Sequence, residues 1–249
     1  MNKHIVCTHR NTFSAYSRYW DTVDLDIEYL ADNTNGLLQP TKPSLLYTES
    51  DIRKTYGFKE EVSKNHFWNA HGNRNIIWFY AHFRMVYYYS LNPSYDYYWF
   101  YDDDVVAKDW DLFHKAFENN DADFLANYVF KEKSVNSQPK VPNVNDEMAS
   151  GNGWFDRFPG EGDILPQDTT DMFGSFFPVV RLSNRALNKL NNLLLDGVHG
   201  YSEGFVPTIL NYFGYSLDTI YNNKSQGNNF DDTIVQLVHK NNKTNWSWL

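Results

Sequence analysis

Short apolar runs alternate with amphipathic stretches along the chain, and the period of each run assigns its element. KHIVCT, Lys3 to Thr8, reads as a first strand, followed by Leu25 to Leu30 and a shorter run from Leu45 to Thr48, with ADNTNG and QPTKPS as intervening loops. Ile76 to Leu91 has helical length and stops at Asn92 and Pro93; His82 and Arg84 interrupt its aromatic run, which predicts a buried helix rather than a membrane span. Tyr97 to Tyr101 has the residue types of a strand buried on both faces. Asp109 then caps a helix with Leu112, Phe113, Ala116 and Phe117 on one face, ended by Asn119 and Asn120, and Ala122 to Phe130 returns as a strand.

From Lys131 to Asp168 the chain is polar and rich in Asn, Pro and Gly, with little regular structure expected beyond the segment around Trp154. Asp171 to Arg181 reads as a Gly-containing turn followed by an apolar strand. Ser183 caps a helix that turns Ala186, Leu187, Leu190, Leu193 and Leu194 inward and ends before Gly197. In Tyr201 to Gly214, Pro207 suits a first helical turn, which places Glu203 at or just before the helix start. Ser216 to Tyr221 is a strand, Asn222 to Asp232 a polar loop, and Thr233 to Val238 a last apolar strand that delivers His239, with Lys240 and Lys243 behind it. There is no internal repeat. Strands alternating with helices predict an α/β fold with an open, mostly parallel central sheet flanked by helices; without a linker or a shift in composition, residues 1–249 read as one domain.

Chemistry concentrates in YYWFYDDDVV, Tyr97 to Val106, where an aromatic strand ends in Asp102, Asp103 and Asp104. Two unit charges about 5 Å apart repel by roughly 3 kcal/mol at an effective dielectric of about 20, so three carboxylates at one strand end call for a cation. On an extended segment Asp102 and Asp104 share one side and can converge on a hard metal ion while Asp103 faces elsewhere. An acidic turn favoured by turn chemistry alone is the plainer alternative. The net charge of −9 and the lack of a long basic cluster argue against a nucleic-acid partner. Cys7, the only cysteine, excludes an intramolecular disulfide and a Cys-based zinc site and fits a reducing cytoplasm. No signal-peptide-like apolar segment is seen in MNKHIVCTHR, and no run approaches 18 apolar residues. Aromatic residues at 18% suit either stacking on sugar rings or simple core packing.

The first strand at the amino terminus, the central strand ending in Asp-x-Asp, the Gly174–Ser175 loop before an apolar strand, Glu203 at a helix start, and His239 followed by Lys240 and Lys243 together resemble the GT-A-type nucleotide-sugar glycosyltransferases. The resemblance implies a GT-A-like, Rossmann-related domain and transfer of a sugar from a nucleoside-diphosphate sugar to a saccharide or other hydroxyl acceptor. By the same resemblance Asp102 and Asp104 would hold Mn²⁺ or Mg²⁺, with His239 as third ligand, and Asp103 would face the ribose or the donor sugar. Lys240 or Lys243 would pair with a phosphate, and His9 or Arg10 would line the nucleotide pocket. Glu203 would deprotonate or orient the acceptor, with Asp171 and Asp168 as rivals for that role. Trp154, Phe155 and Tyr201 are candidates for stacking on the acceptor sugar. A helix-dipole role for Glu203 and a loop role for His239 are the non-catalytic alternatives.

Phe100 to Val106 is also similar to the DxDx[TV] strand of the haloacid-dehalogenase-type phosphatases, which would make Asp102 a nucleophile, Asp104 an acid/base and Asp231 or Asp232 the later acidic motif. Against this, about a hundred residues precede the strand, and Asp231 and Asp232 follow a polar loop. A non-catalytic, carbohydrate-binding relative of the transferases is the third reading.

Overall fold

The β4 strand, Tyr97–Asp102, sends alternate side chains to opposite faces of one sheet, as a period of two requires. Tyr98 and Phe100 enter one core and Trp99 and Tyr101 another. In this computed structural model the described residues are 1–8, 19–34, 36, 44–58, 81–107, 109–131, 164–220 and 238–239.

The strands β1 (Asn2–Thr8), β2 (Ile27–Asp32), β3 (Ser44–Tyr47), β4, β6 (Phe124–Lys131), β7 (Phe173–Ser183) and β8 (Leu217–Thr219) form a seven-stranded sheet in the order β3-β2-β1-β4-β7-β6-β8. Only β7 runs antiparallel to its neighbours. The short β5 (Val105–Val106) pairs with β9 (Val238–His239) in a second, two-stranded sheet.

One face of the large sheet is covered by α1 (Glu49–Tyr56), α2 (Ala81–Leu91), α4 (Asn184–Leu195) and α5 (Ser202–Tyr212), whose apolar sides pack on Ile5, Cys7, Phe100 and Val180. The other face carries α3 (Trp110–Ala116) and Trp20 against Val6, Trp99, Tyr101 and Val179. Local chemistry sets the helix ends: Thr48 and Asp51 form a capping box before α1, and the Asp109 and Ser183 side chains accept from Leu112 N and Ala186 N.

The mixed α/β order with a mostly parallel sheet flanked by helices agrees with the sequence pattern, and five local readings change. The second strand begins two residues late and runs to Asp32, and Thr48 leaves the third strand to cap α1. On α3 the buried residues are Trp110 and Phe113, with Phe117 just beyond, while Leu112 and Ala116 face solvent; the stripe starts one residue after the cap. Gly174 lies inside β7 rather than in a turn, where its register partner Phe130 lays its ring against the glycine Cα and leaves no room for a Cβ. Pro207 is the sixth residue of α5, not in its first turn, and the missing helical bond to the Glu203 carbonyl is replaced by the Ser175 hydroxyl, which donates to that oxygen at 2.9 Å.

Candidate functional site

Sheet order reverses between β1 and β4: β1 continues to β2 and β3 on one side, while the chain crosses to β4 on the other. The crevice beyond the carboxyl ends of two such parallel strands is where open α/β sheets bind ligands. Cys7 is the register partner of Asp102, and Asp103 N donates to the Cys7 carbonyl at 3.1 Å, so the acidic triplet emerges at this crevice.

The triplet is not extended throughout. Asp102 ends β4, and Asp103 and Asp104 form a turn that leads into β5, so strand alternation stops at Asp102. Asp103 and Asp104 are both buried, and the Trp20 indole N–H donates to the Asp103 carbonyl at 3.1 Å from beneath. Asp102 continues the side of the strand set by Tyr98 and Phe100 and meets α2. There its Oδ1 accepts from the Arg84 guanidinium at 3.0 Å, with the arginine side chain 1% and the aspartate 14% exposed. Burial alone would lower the Arg84 pKa, but Cys7, Tyr47 and Asp102 outweigh it and the group is held more firmly charged than usual. One of the three carboxylates thus has an internal counter-ion.

Glu203 reaches the same crevice from the opposite side. Because β7 is antiparallel, its first residues run past the end of β4, where Tyr101 pairs with Val179, and they meet the first turn of α5. The α5 helix is fastened there by Ser175 and by Thr208, whose Oγ1 accepts from Phe173 N at 2.8 Å. A second fastening joins α5 to α2: Ser202 Oγ lies 2.9 Å from His82 Nδ1 and accepts from His82 N at 3.3 Å. Burial pushes the Glu203 carboxyl up to about 7; a hydrogen bond from the Tyr201 hydroxyl and one from the Phe177 backbone oppose the rise, and the charge of Asp102 adds to it. Glu203 is 9% exposed. The result is a carboxyl poised to hold or give up a proton near neutral pH, in electrostatic reach of Asp102.

The remaining sequence candidates divide. The β9 strand places the His239 backbone opposite Val105, one residue beyond Asp104, so the chain passes close to the acidic turn. Asp171 forms a half-exposed ion pair with Lys131 at 2.7 Å, and Asp168 accepts from the Tyr212 hydroxyl at 2.6 Å; neither contact involves the acidic triplet. Tyr201 is buried against Glu203. His9, Arg10, Trp154, Phe155, Asp231, Asp232, Lys240 and Lys243 lie outside the described residues. Among the described residues no three of His, Cys, Asp and Glu gather as a complete metal site. The carboxylates at the crevice are hard oxygen donors of the kind that suit Mg²⁺ or Mn²⁺. Arg84 was not among the candidates, although its signal was present: a charged residue in an otherwise buried aromatic helix must be paired.

No protein-family model matches the chain, and no curated protein does. Among solved structures the chain is similar to the apo form of mouse xyloside xylosyltransferase 1, at 11% identity over 88% of this chain and 85% of that one, with a TM-score of 0.41. A likeness of that size leaves the chemistry of the crevice to its own residues.

Proposed function

We propose that the chain is a metal-dependent glycosyltransferase that moves a sugar from a nucleoside-diphosphate sugar to a hydroxyl acceptor, a glycan or other saccharide. The observation that carries this reading is the emergence of three consecutive aspartates at the β1/β4 switch point, with Asp102 in electrostatic reach of Glu203, a glutamate whose carboxyl burial pushes up to about 7. Asp102 and Asp104, with His239 from β9, hold a Mn²⁺ or Mg²⁺ ion, and Asp103 lies toward the ribose or the donor sugar. The chemistry supplied by that ion is neutralisation of the charge that grows on the departing diphosphate. Lys240 or Lys243 pairs with a phosphate, and His9 or Arg10 lines the nucleotide pocket. Glu203 accepts the proton of the acceptor hydroxyl, with Tyr201 fixing the orientation of its carboxylate; Asp171 is the reserve candidate for that role. A reducing compartment such as the cytoplasm suits Cys7, whose buried thiol is pushed up to about 12. No described helix is long and apolar enough to cross a membrane.

Calorimetric titration with UDP, GDP and their sugars, with and without Mn²⁺, tests the reading. Metal-dependent binding that is lost in Asp104→Ala is expected; nucleotide binding that ignores the metal and survives that substitution overturns it. Glu203→Gln is expected to keep donor binding and to slow transfer by about 100-fold or more, and to abolish a rise in rate as pH passes through about 7. Phosphate release from a simple ester, with an acyl phosphate on Asp102, would assign phosphatase chemistry instead.

A further inference from the structure

Arg84 stands beneath the acidic turn at the ends of three strands at once. Its guanidinium donates to Asp102 Oδ1 at 3.0 Å at the end of β4, and it lies near the Cys7 side chain on β1 and the Tyr47 side chain at the end of β3. The residue belongs to α2, whose neighbour His82 is joined to Ser202 at the start of α5, beside Glu203. Arg84 therefore sits in one continuous frame with the carboxylate at the metal end of the crevice and the carboxylate at its acceptor end.

We infer that Arg84 is a positioning residue for the metal site: its guanidinium fixes the orientation of the Asp102 carboxylate and lowers the net negative charge that a divalent ion encounters. This rests on the metal reading above. A guanidinium held at 1% exposure does not swing toward solvent, so the orientation it imposes on Asp102 is fixed. Its consequence is an opposition between affinity and function. Without Arg84, Asp102 is a more negative and less directed ligand, so a free divalent ion binds more tightly, while the arrangement needed for transfer is lost.

The test is Mn²⁺ affinity of the free protein, followed by the loss of the free-ion EPR signal with no nucleotide present. Arg84→Met is expected to tighten Mn²⁺ binding by roughly tenfold while transfer falls. Arg84→Lys, which keeps the charge in a less disruptive side chain, is expected to stay within about twofold of the wild type in affinity. In an Asp102→Asn background, Arg84→Met should tighten Mn²⁺ binding by less than in the wild type, because only the through-space charge of Arg84 remains to be removed. Weaker or unchanged Mn²⁺ binding in Arg84→Met, with the fold intact by circular dichroism, overturns the inference and leaves the metal reading standing. Should Arg84→Met fail to fold, Arg84→Lys decides: tenfold weaker binding in that variant overturns the inference. Wild-type protein that binds no Mn²⁺ overturns the metal reading, and this inference with it.

Discussion

The two faces of the sheet treat the titratable groups nearest the acidic turn in opposite ways. On the face covered by α1, α2, α4 and α5, charge is retained beside the turn: Arg84 and Asp102 form an ion pair, and Glu203 is balanced near neutrality, while burial holds His82 and His199 of the same face below the usual histidine range. On the face covered by α3, the groups around Tyr101 are neutral, and the buried Arg181 guanidinium lies farther along β4, over Tyr97 and Trp99. His4 Nδ1 lies 2.8 Å and His114 Nε2 3.1 Å from the Tyr101 hydroxyl, within a box formed by Trp20, Trp99 and Trp110. Burial lowers His4 to about 4, with Asp26 opposing and Lys3 assisting; burial, with the charge of His4, lowers His114 to about 3. Both rings are neutral at pH 7. The strand β4 separates the two regimes by its period of two, sending Asp102 to the charged side and Tyr101 to the neutral one. Next to the turn that carries Asp103 and Asp104, one face thus presents an ion pair and the other a neutral aromatic support.

The largest effect expected from this contrast comes from removing one partner on each side. Asp102→Leu strands the Arg84 charge in the core and should cost about 3–5 kcal/mol in denaturant unfolding. His114→Leu removes a neutral ring, leaves the Tyr101 hydroxyl its contact with His4, and should cost about 1 kcal/mol. Equal costs at the two positions would break the comparison.

The next effect concerns pH, where Glu203 should tilt stability in the opposite direction from His4 and His114. Both histidines have folded pKa values below the ordinary 6.5, so the unfolded chain binds their protons more readily. Their contribution is complete above pH 6.5 and is lost as pH falls toward 4 and then 3. Glu203 is raised from 4.5 to about 7, so its contribution is complete below 4.5 and is lost as pH rises through 7. Unfolding free energies measured from pH 4 to 9 should show both slopes, the alkaline one worth about 3 kcal/mol and the acid one at least as large. Glu203→Gln should flatten the alkaline slope, and a His4→Gln, His114→Leu double variant should reduce the acid one, the remainder coming from the buried His82 and His199.

How far this division was legible depends on what kind of signal each part leaves in the chain. The strand core of Tyr97 to Tyr101, the five inward residues of α4 and the caps at Asp109 and Ser183 follow from period and capping chemistry, because those interactions are local. The ion pair of Arg84 with Asp102 joins residues 18 apart through the packing of a helix on a sheet, so no spacing announces it. The high pKa of Glu203 arises from burial beside β7, a strand that runs against its neighbours, and strand direction leaves no periodic mark. Local sequence points Pro207 to a first helical turn, because a proline deep in a helix needs a substitute donor, and that donor, Ser175, lies 28 residues from Glu203.

That substitution gives the smallest prediction and the sharpest probe of how the charged face is held. Pro207 has no N–H to give to the Glu203 carbonyl, and Ser175 supplies the missing bond from β7 at 2.9 Å. Ser175→Ala should leave that buried carbonyl without its donor and cost about 1–2 kcal/mol. Pro207→Ala restores a helical N–H to the same oxygen, so the cost of Ser175→Ala measured in the Pro207→Ala background should fall to about half. The coupling between the two sites in a double-mutant cycle is then favourable to the double variant. If the costs simply add, the hydroxyl is not replacing the helical bond, and the first turn of α5 is held by Thr208 and Ser202 alone. On the opposite face, Tyr101→Phe should change none of these values, because among the described residues its hydroxyl hydrogen-bonds to the two neutral imidazoles.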